Sequence, residues 1–258
     1  NLISKAPDEY ITAPIDYKTW DKALAMEVRV NSHIILREHI NLSLITESSS
    51  TTINSPDSAF SIHFDKNSVH RDVLVNLNQT EINSKQAAIL SRAYQIEPVS
   101  LNLLKSGKIK FKYDSSLQAL SKTGIYTNYK EKFYYLNSNI EPDENCFTTT
   151  AKAGTFCLLA DTAAPKIQVI SPVNNATYYN SNLKYIKAKV TDELSGIKDD
   201  MSISVNLDGE EIIAEYNAPT DMVRYKNDGL SKGRHNFTIS VTDKMGNTAT
   251  KTGKFYIK

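Results

Sequence analysis

Phe237-Thr238-Ile239-Ser240-Val241-Thr242-Asp243-Lys244-Met245-Gly246-Asn247 is the stretch whose reading decides the fold of this chain. Its first half sends large apolar side chains one way and hydroxyls the other, the period-two signature of a strand with one buried and one wet face. Its second half carries the residue types that turn a chain, glycine for backbone freedom and Asp or Asn for bonding nearby amides. Ile186, Ala188 and Val190 alternate with Lys187 and Lys189 in the same way, as do Ile203, Val205 and Leu207 with Ser204 and Asn206. Asp208-Gly209 and Lys232-Gly233 punctuate these runs. About seven short strands fit into about ninety residues, a two-sheet antiparallel sandwich.

Upstream, Phe60-Ser61-Ile62-His63-Phe64 and Lys108-Ile109-Lys110-Phe111-Lys112-Tyr113 alternate too, and Gly124-Ile125-Tyr126-Thr127-Asn128-Tyr129 adds another strand. Leu158 to Pro165 runs from a strand into a short Thr/Ala/Pro linker, where a new pattern begins. The chain therefore reads as all-β, two or three β-sandwich domains in tandem, the last immunoglobulin-like. The expected divisions are an extended or partly helical segment over 1–56, a sandwich over 57–161 and the immunoglobulin-like sandwich over 165–258. Asp16 to Met26 could start a short helix, Glu27 to Val30 and Ile34 to Ile45 look extended, and Glu47 to Pro56 reads as a polar loop.

Thirty Lys plus Arg balance 29 Asp plus Glu for a net charge of +1, with no long block of one sign. That balance argues against a nucleic-acid partner. Nine glycines disfavour phosphate-cradling loops, and 14 tyrosines suit pleated sheets. No run of about 18 apolar residues is present, so no transmembrane helix is expected. The opening Asn1 in place of an initiator Met leads us to expect a processed or truncated chain, with any secretion signal, lipid anchor or catalytic domain lying upstream.

Cys146 and Cys157 flank a segment that reads as a hairpin turning at Ala151-Lys152. That register sets the two cysteines opposite each other, close enough for a disulfide in an oxidising compartment; two free buried thiols are the alternative.

Thr191-Asp192-Glu193-Leu194-Ser195-Gly196-Ile197, then Asn206-Leu207-Asp208-Gly209, Lys232-Gly233-Arg234-His235 and Thr242 to Asn247, resembles the bacterial extracellular immunoglobulin-like repeat. Ser91 to Pro98, Lys108 to Tyr113, Gly124 to Tyr126 and Gly154 to Asp161 are similar to the β-sandwich of ankyrins and netrin receptors. Together the pair looks like the C-terminal accessory region of secreted Bacteroidetes proteins that carry a lysostaphin-type peptidoglycan metallopeptidase domain. That family's zinc site needs His-x-x-x-Asp and His-x-His segments, and the sequence has neither, so no catalytic residue carries over.

Among candidate sites, Asp192, Asp199, Asp208 and Asp243 supply the hard oxygens that calcium takes, although Asp in turns also caps backbone amides. Tyr126, Tyr129, Tyr134 and Tyr135 form either an aromatic platform for a ligand or part of a core. Ser58 in Asp57-Ser58-Ala59 and Thr162 in Asp161-Thr162-Ala163 match an O-glycosylation signal of exported Bacteroidetes proteins. His63 and Asp65 share a strand face without a nucleophile beside them in sequence. The functional expectation is a non-catalytic, exported module, periplasmic, cell-surface or secreted, that needs no cofactor. It would act as spacer, scaffold or binding region toward a protein or glycan partner at the cell envelope. The alternatives are an accessory fragment of a peptidoglycan-degrading zinc peptidase and a carbohydrate-binding surface module.

Overall fold

The computed structural model describes residues 2–6, 9–12, 24–30, 33–40, 42–84, 87–113, 120–141 and 145–258. Most of the helix start considered over 16–26 lies outside them, and Leu24 to Met26 belong to a strand. The chain is all-β.

Strands β1 (Leu2–Ala6) and β2 (Glu9–Thr12) pair with each other, as do β3 (Leu24–Val30) and β4 (His33–Ile40). Next come β5 (Leu42–Ile45), β6 (Thr51–Asn54), β7 (Phe60–Phe64), β8 (Val73–Thr80), β9 (Ala88–Ile89), β10 (Ala93–Glu97) and β11 (Asn102–Lys112). They are followed by β12 (Thr123–Tyr129), β13 (Lys132–Tyr135), β14 (Asn139–Glu141), β15 (Asn145–Lys152) and β16 (Thr155–Ala160). The C-terminal strands are β17 (Lys166–Ser171), β18 (Thr177–Tyr178), β19 (Tyr185–Thr191), β20 (Ile203–Leu207), β21 (Glu210–Ile212), β22 (Glu215–Asn217), β23 (Met222–Lys226), β24 (Gly233–Thr242) and β25 (Thr248–Ile257). Among the described residues no helix is long and apolar enough to cross a membrane.

The residues fall into two compact units, the first made of Asn1–Gln79, Tyr94–Lys108 and Thr150–Gly154. In it β5 pairs with β8 and β6 with β7. The alternation read at Phe60, Ile62 and Phe64 is real, each being buried while Ser61 and His63 are not. Tyr94 stacks on Phe60 at 4.9 Å and donates from its hydroxyl to Asp57 at 2.8 Å. The polar-loop reading of Glu47 to Pro56 fails at β6, where Ile53 pairs with Ile62 and is buried. One buried apolar side chain among polar neighbours is enough for a strand at a sheet edge, and it leaves almost no period to read.

The second unit is Thr80–Ala93, Ile109–Thr149 and Thr155–Lys258. Its first part sets β12 between β13 and β16, with β9 also against β16, while β14 pairs with β15. Its second part is the immunoglobulin-like sandwich. One sheet runs β17-β19-β23-β22 and the other β18-β25-β24-β20-β21, with β18 parallel to β25. Of the positions read as inward, Ile186, Ala188, Val190, Val205, Leu207, Phe237, Ile239 and Val241 are buried in the core, and Ile203 packs half-buried against it. Asp208 and Gly209 both take positive φ, 55° and 95°, as the tight turn between β20 and β21 requires.

The hairpin expected between Cys146 and Cys157 does not form. β15 and β16 do not pair; they belong to different sheets, β15 beside β14 and β16 beside β12. Cys146 faces Ile140 across its ladder and Cys157 faces Tyr126. Both are buried free thiols. The reason lies in β16, where Phe156, Cys157, Leu158, Leu159 and Ala160 are all buried. A run buried on both faces suits a central strand, and a hairpin arm with one wet face cannot hold it.

Candidate functional site

Three aspartates follow directly on the ends of strands, Asp161 after β16, Asp192 after β19 and Asp243 after β24. Asp at such a position accepts from the amides of the loop it opens and so stops the ladder. Asp192 accepts from the Leu194 and Gly196 amides at 3.1 and 2.7 Å. Asp243 accepts from the Met245 and Asn247 amides, each at 2.8 Å. Asp161 accepts from Ala163 at 3.2 Å and, across a long stretch of sequence, from the Ser195 amide at 3.1 Å.

These local caps converge. One carboxylate oxygen from each of Asp161, Asp192 and Asp243 lies within 4.8 Å of the others. Asp161 and Asp243 are buried and Asp192 is half-buried. Asn247 closes the ring, donating from its amide to the Asp161 carbonyl at 2.9 Å and to the Asp243 carboxylate at 2.8 Å. Lys122 donates to the Met245 carbonyl at 2.6 Å. Among the described residues no lysine or arginine makes an ion pair with any of the three carboxylates. Burial raises the pKa of Asp192, the Gly196 amide opposes that, and the charges of Asp161 and Asp243 add to the rise.

Around this ring the loops are packed. Leu194 sits in an apolar cluster with Tyr126, Phe133, Cys157 and Leu159. Met245 is buried over Gly124, where a β-carbon would come within 2.7 Å of the Met245 methyl and 2.5 Å of the Tyr135 ring. The Asp161 to Pro165 stretch, read from sequence as a simple linker, therefore begins with a residue that is fully buried.

Of the tyrosines read as a platform, Tyr126 is in the core, completely buried, with Tyr135 tilted against it at 5.3 Å. Its hydroxyl has no hydrogen-bond partner among the described residues. An orphaned buried hydroxyl costs about 1–3 kcal/mol. Burial raises its pKa first, and the charges of Asp161, Tyr135, Asp192 and Asp243 raise it further. Tyr129 and Tyr134 are 63% and 50% exposed and lie diagonally on one face of the β12–β13 hairpin. A groove of about 560 Å³ runs between Lys132, Tyr134 and Tyr135 on one side and Asp192 to Gly196 on the other. A smaller cleft of about 200 Å³ opens beside Asp161, Ala163, Lys166 and Asp192.

The other residues singled out from sequence lie elsewhere. Asp199 accepts from the Ser202 hydroxyl at 2.8 Å. Asp208 holds the buried His235 Nδ1 at 2.6 Å and accepts from the Asn236 amide at 2.7 Å. Ser58, at positive φ in the β6–β7 turn, and Thr162 are both exposed. His63 has a hydroxyl neighbour after all, with Thr52 Oγ1 at 2.8 Å from Nδ1 and Asp65 at 3.2 Å from Nε2. Lys108 pairs with the same Asp65 at 3.1 Å and holds its carboxyl below the usual range. Sequence reasoning missed Asp161 and the Tyr126 hydroxyl, the one read as part of a glycan signal and the other as one of four similar tyrosines.

No protein-family model and no curated protein matches the sequence. Solved structures give low likenesses. The fibronectin(III)-like modules of Clostridium thermocellum CbhA are 17% identical, with 63% of this chain and 92% of that one covered, at a TM-score of 0.28. The extracellular domain of a putative one-component system from B. thetaiotaomicron is 13% identical over 81% of this chain and 30% of that one, at 0.27. SGBP-B of the Bacteroides ovatus mixed-linkage glucan utilization locus, solved with a mixed-linkage heptasaccharide, is 15% identical over 91% and 63%, at 0.22. This chain spans less than two thirds of the last two.

Proposed function

We propose that this chain is a non-catalytic, exported tandem of β-sandwiches that acts as a spacer or binding region at a bacterial cell envelope. The observation that carries this reading is the packed joint before the immunoglobulin-like sandwich. Asp161 is completely buried, Leu194 inserts into the cluster around Tyr126, and Asn247 and Lys122 bond across the same junction. A spacer transmits position only when its joints resist bending, and a joint with a buried apolar plug and hydrogen bonds across it resists it.

Small-angle scattering on the full chain and on Leu194→Asp tests the joint. The native chain should show one narrow distribution of dimensions, and the variant, with a charge forced into the apolar cluster, a broader one. A broad distribution for the native chain rejects the spacer.

A second reading rests on Tyr129 and Tyr134, whose exposed rings share one face of the β12–β13 hairpin and are of the kind that stack on sugars or peptides. On this reading the partner is a glycan of the envelope, and a glycan array probed with the native chain should give hits that Tyr134→Ala removes. Hits that survive the substitution would place binding elsewhere.

A further inference from the structure

We propose that Asp161, Asp192 and Asp243 form a calcium site, with the Tyr126 hydroxyl completing its shell through a metal-bound water. The site goes beyond the spacer reading and stands whether or not that reading holds. Two separate observations meet at this point. The first is the convergence of three carboxylates from three loops within 4.8 Å, two of them buried, with no lysine or arginine paired to them among the described residues. Negative charge gathered out of water needs a countercharge. The second is the Tyr126 hydroxyl, completely buried, without a partner among the described residues, and subject to the charges of all three carboxylates. A buried hydroxyl is satisfied by protein or by ordered water, and a water held by a cation beside the carboxylates supplies what the protein does not.

The donor set selects the class of ion. Among the described residues every donor in the cluster is oxygen, with no imidazole or thiolate, so a hard cation fits and zinc or copper does not. The carboxylates come from three separate loops and each is already tethered by backbone amides. Such tethers hold oxygens at spacings that suit a large ion with a tolerant coordination shell, calcium rather than magnesium. Loading the site would bind the strand ends after β16, β19 and β24 to one another.

The test uses the whole chain, stripped with EDTA and titrated with calcium chloride by calorimetry, with melting followed in parallel. We expect one ion per chain and a melting temperature that rises by several degrees in about 1 mM calcium. Asp192→Asn should abolish the response. Tyr126→Phe, which removes only the orphaned oxygen, should melt no lower than the native chain without calcium, yet bind the ion about tenfold more weakly. No melting response in the native chain would overturn the proposal, leaving the aspartates as loop caps. A response that survives both substitutions would overturn it too, by placing the ion elsewhere. An equal response to magnesium would overturn the assignment to a large cation.

Discussion

Two pairs of consecutive strands, β24–β25 and β15–β16, look alike in sequence, since each is two extended runs about a short turn. Only the first is a hairpin. β24 and β25 pair without a break from Gly233↔Ile257 to Thr242↔Thr248, and β24 buries alternate residues only. Its turn is pinned by Asp243, and Gly246 takes φ 74°. β15 and β16 part company, each joining a different sheet, and β16 buries both of its faces. A strand with one wet face can pair with its neighbour at an edge, whereas a strand apolar on both faces must be covered twice. The number of buried faces therefore tells the two apart.

The largest effects should come from that difference. Leu158 and Leu159 point to opposite sides of β16 and both are fully buried. Leu158→Ala and Leu159→Ala should each cost about 2–5 kcal/mol by urea unfolding. In β24 only one parity should matter: Ile239→Ala should cost as much, and Ser240→Ala, at a half-exposed site whose hydroxyl bonds to that of Thr250, should cost under about 1 kcal/mol. Equal costs at Ile239 and Ser240, or a cheap change at either leucine, would break the comparison.

Next in size is the close fit inside the hairpin. Phe237 lies across from Gly253, and a β-carbon there would sit 2.4 Å from the phenylalanine ring. Gly253→Val should destabilise by about 1–3 kcal/mol. If the clash is the cause, Gly253→Val should cost less in a Phe237→Ala background than in the native chain, the difference being read from a double-mutant cycle.

A smaller effect comes from the open end of the hairpin, where His235 stacks on Phe255 at 5.3 Å. Its two ring nitrogens face two acceptors, the Asp208 carboxylate at 2.6 Å and the Ser231 carbonyl at 2.8 Å. Only the imidazolium can donate to both. Burial works against the charge, but the Ser231 carbonyl and Asp208 overcome it and raise the pKa above its ordinary 6.5. A raised pKa means stability that is fully present below 6.5 and lost as pH climbs through the folded-state value. Urea midpoints measured upward from pH 6 should fall, and Asp208→Asn should flatten the slope. A midpoint that climbs over that range would contradict the assignment.

The smallest effect is expected at the thiols. Burial pushes the Cys157 thiol up to about 12 and raises that of Cys146 as well. Both should resist alkylation until the chain unfolds, and a reductant should leave the melting temperature unchanged. A lower melting temperature on reduction would restore the disulfide that the strand arrangement removes.

Much of this was legible in local pattern. Phe60, Ile62 and Phe64 in β7, like Phe237, Ile239 and Val241 in β24, announce which side is buried. Asp208-Gly209 and Asp243 to Asn247 announce turns, because those residue types carry the φ angles and side-chain caps that turns need. The candidate site was half legible. Asp192 and Asp243 stood out as turn acids, but so did Asp199 and Asp208, which lie apart from the cluster. Asp161 gave no sign, since its decisive contacts are with Ser195 and Asn247. Tyr126, Tyr129, Tyr134 and Tyr135 are chemically the same in sequence, and only packing separates the buried, orphaned hydroxyl from the exposed rings.

The sequence by itself determined an all-β chain, the inward side of its alternating strands and the places where it turns, because side-chain period and turn chemistry act over a few neighbouring residues. Only the tertiary structure decided that β15 and β16 separate, that Cys146 and Cys157 do not face each other across a hairpin, and that three strand-ending aspartates meet beside one tyrosine. Pairing partners and gathered charges are set by contacts between residues far apart in the chain, and local periodicity records which face is buried, never against what.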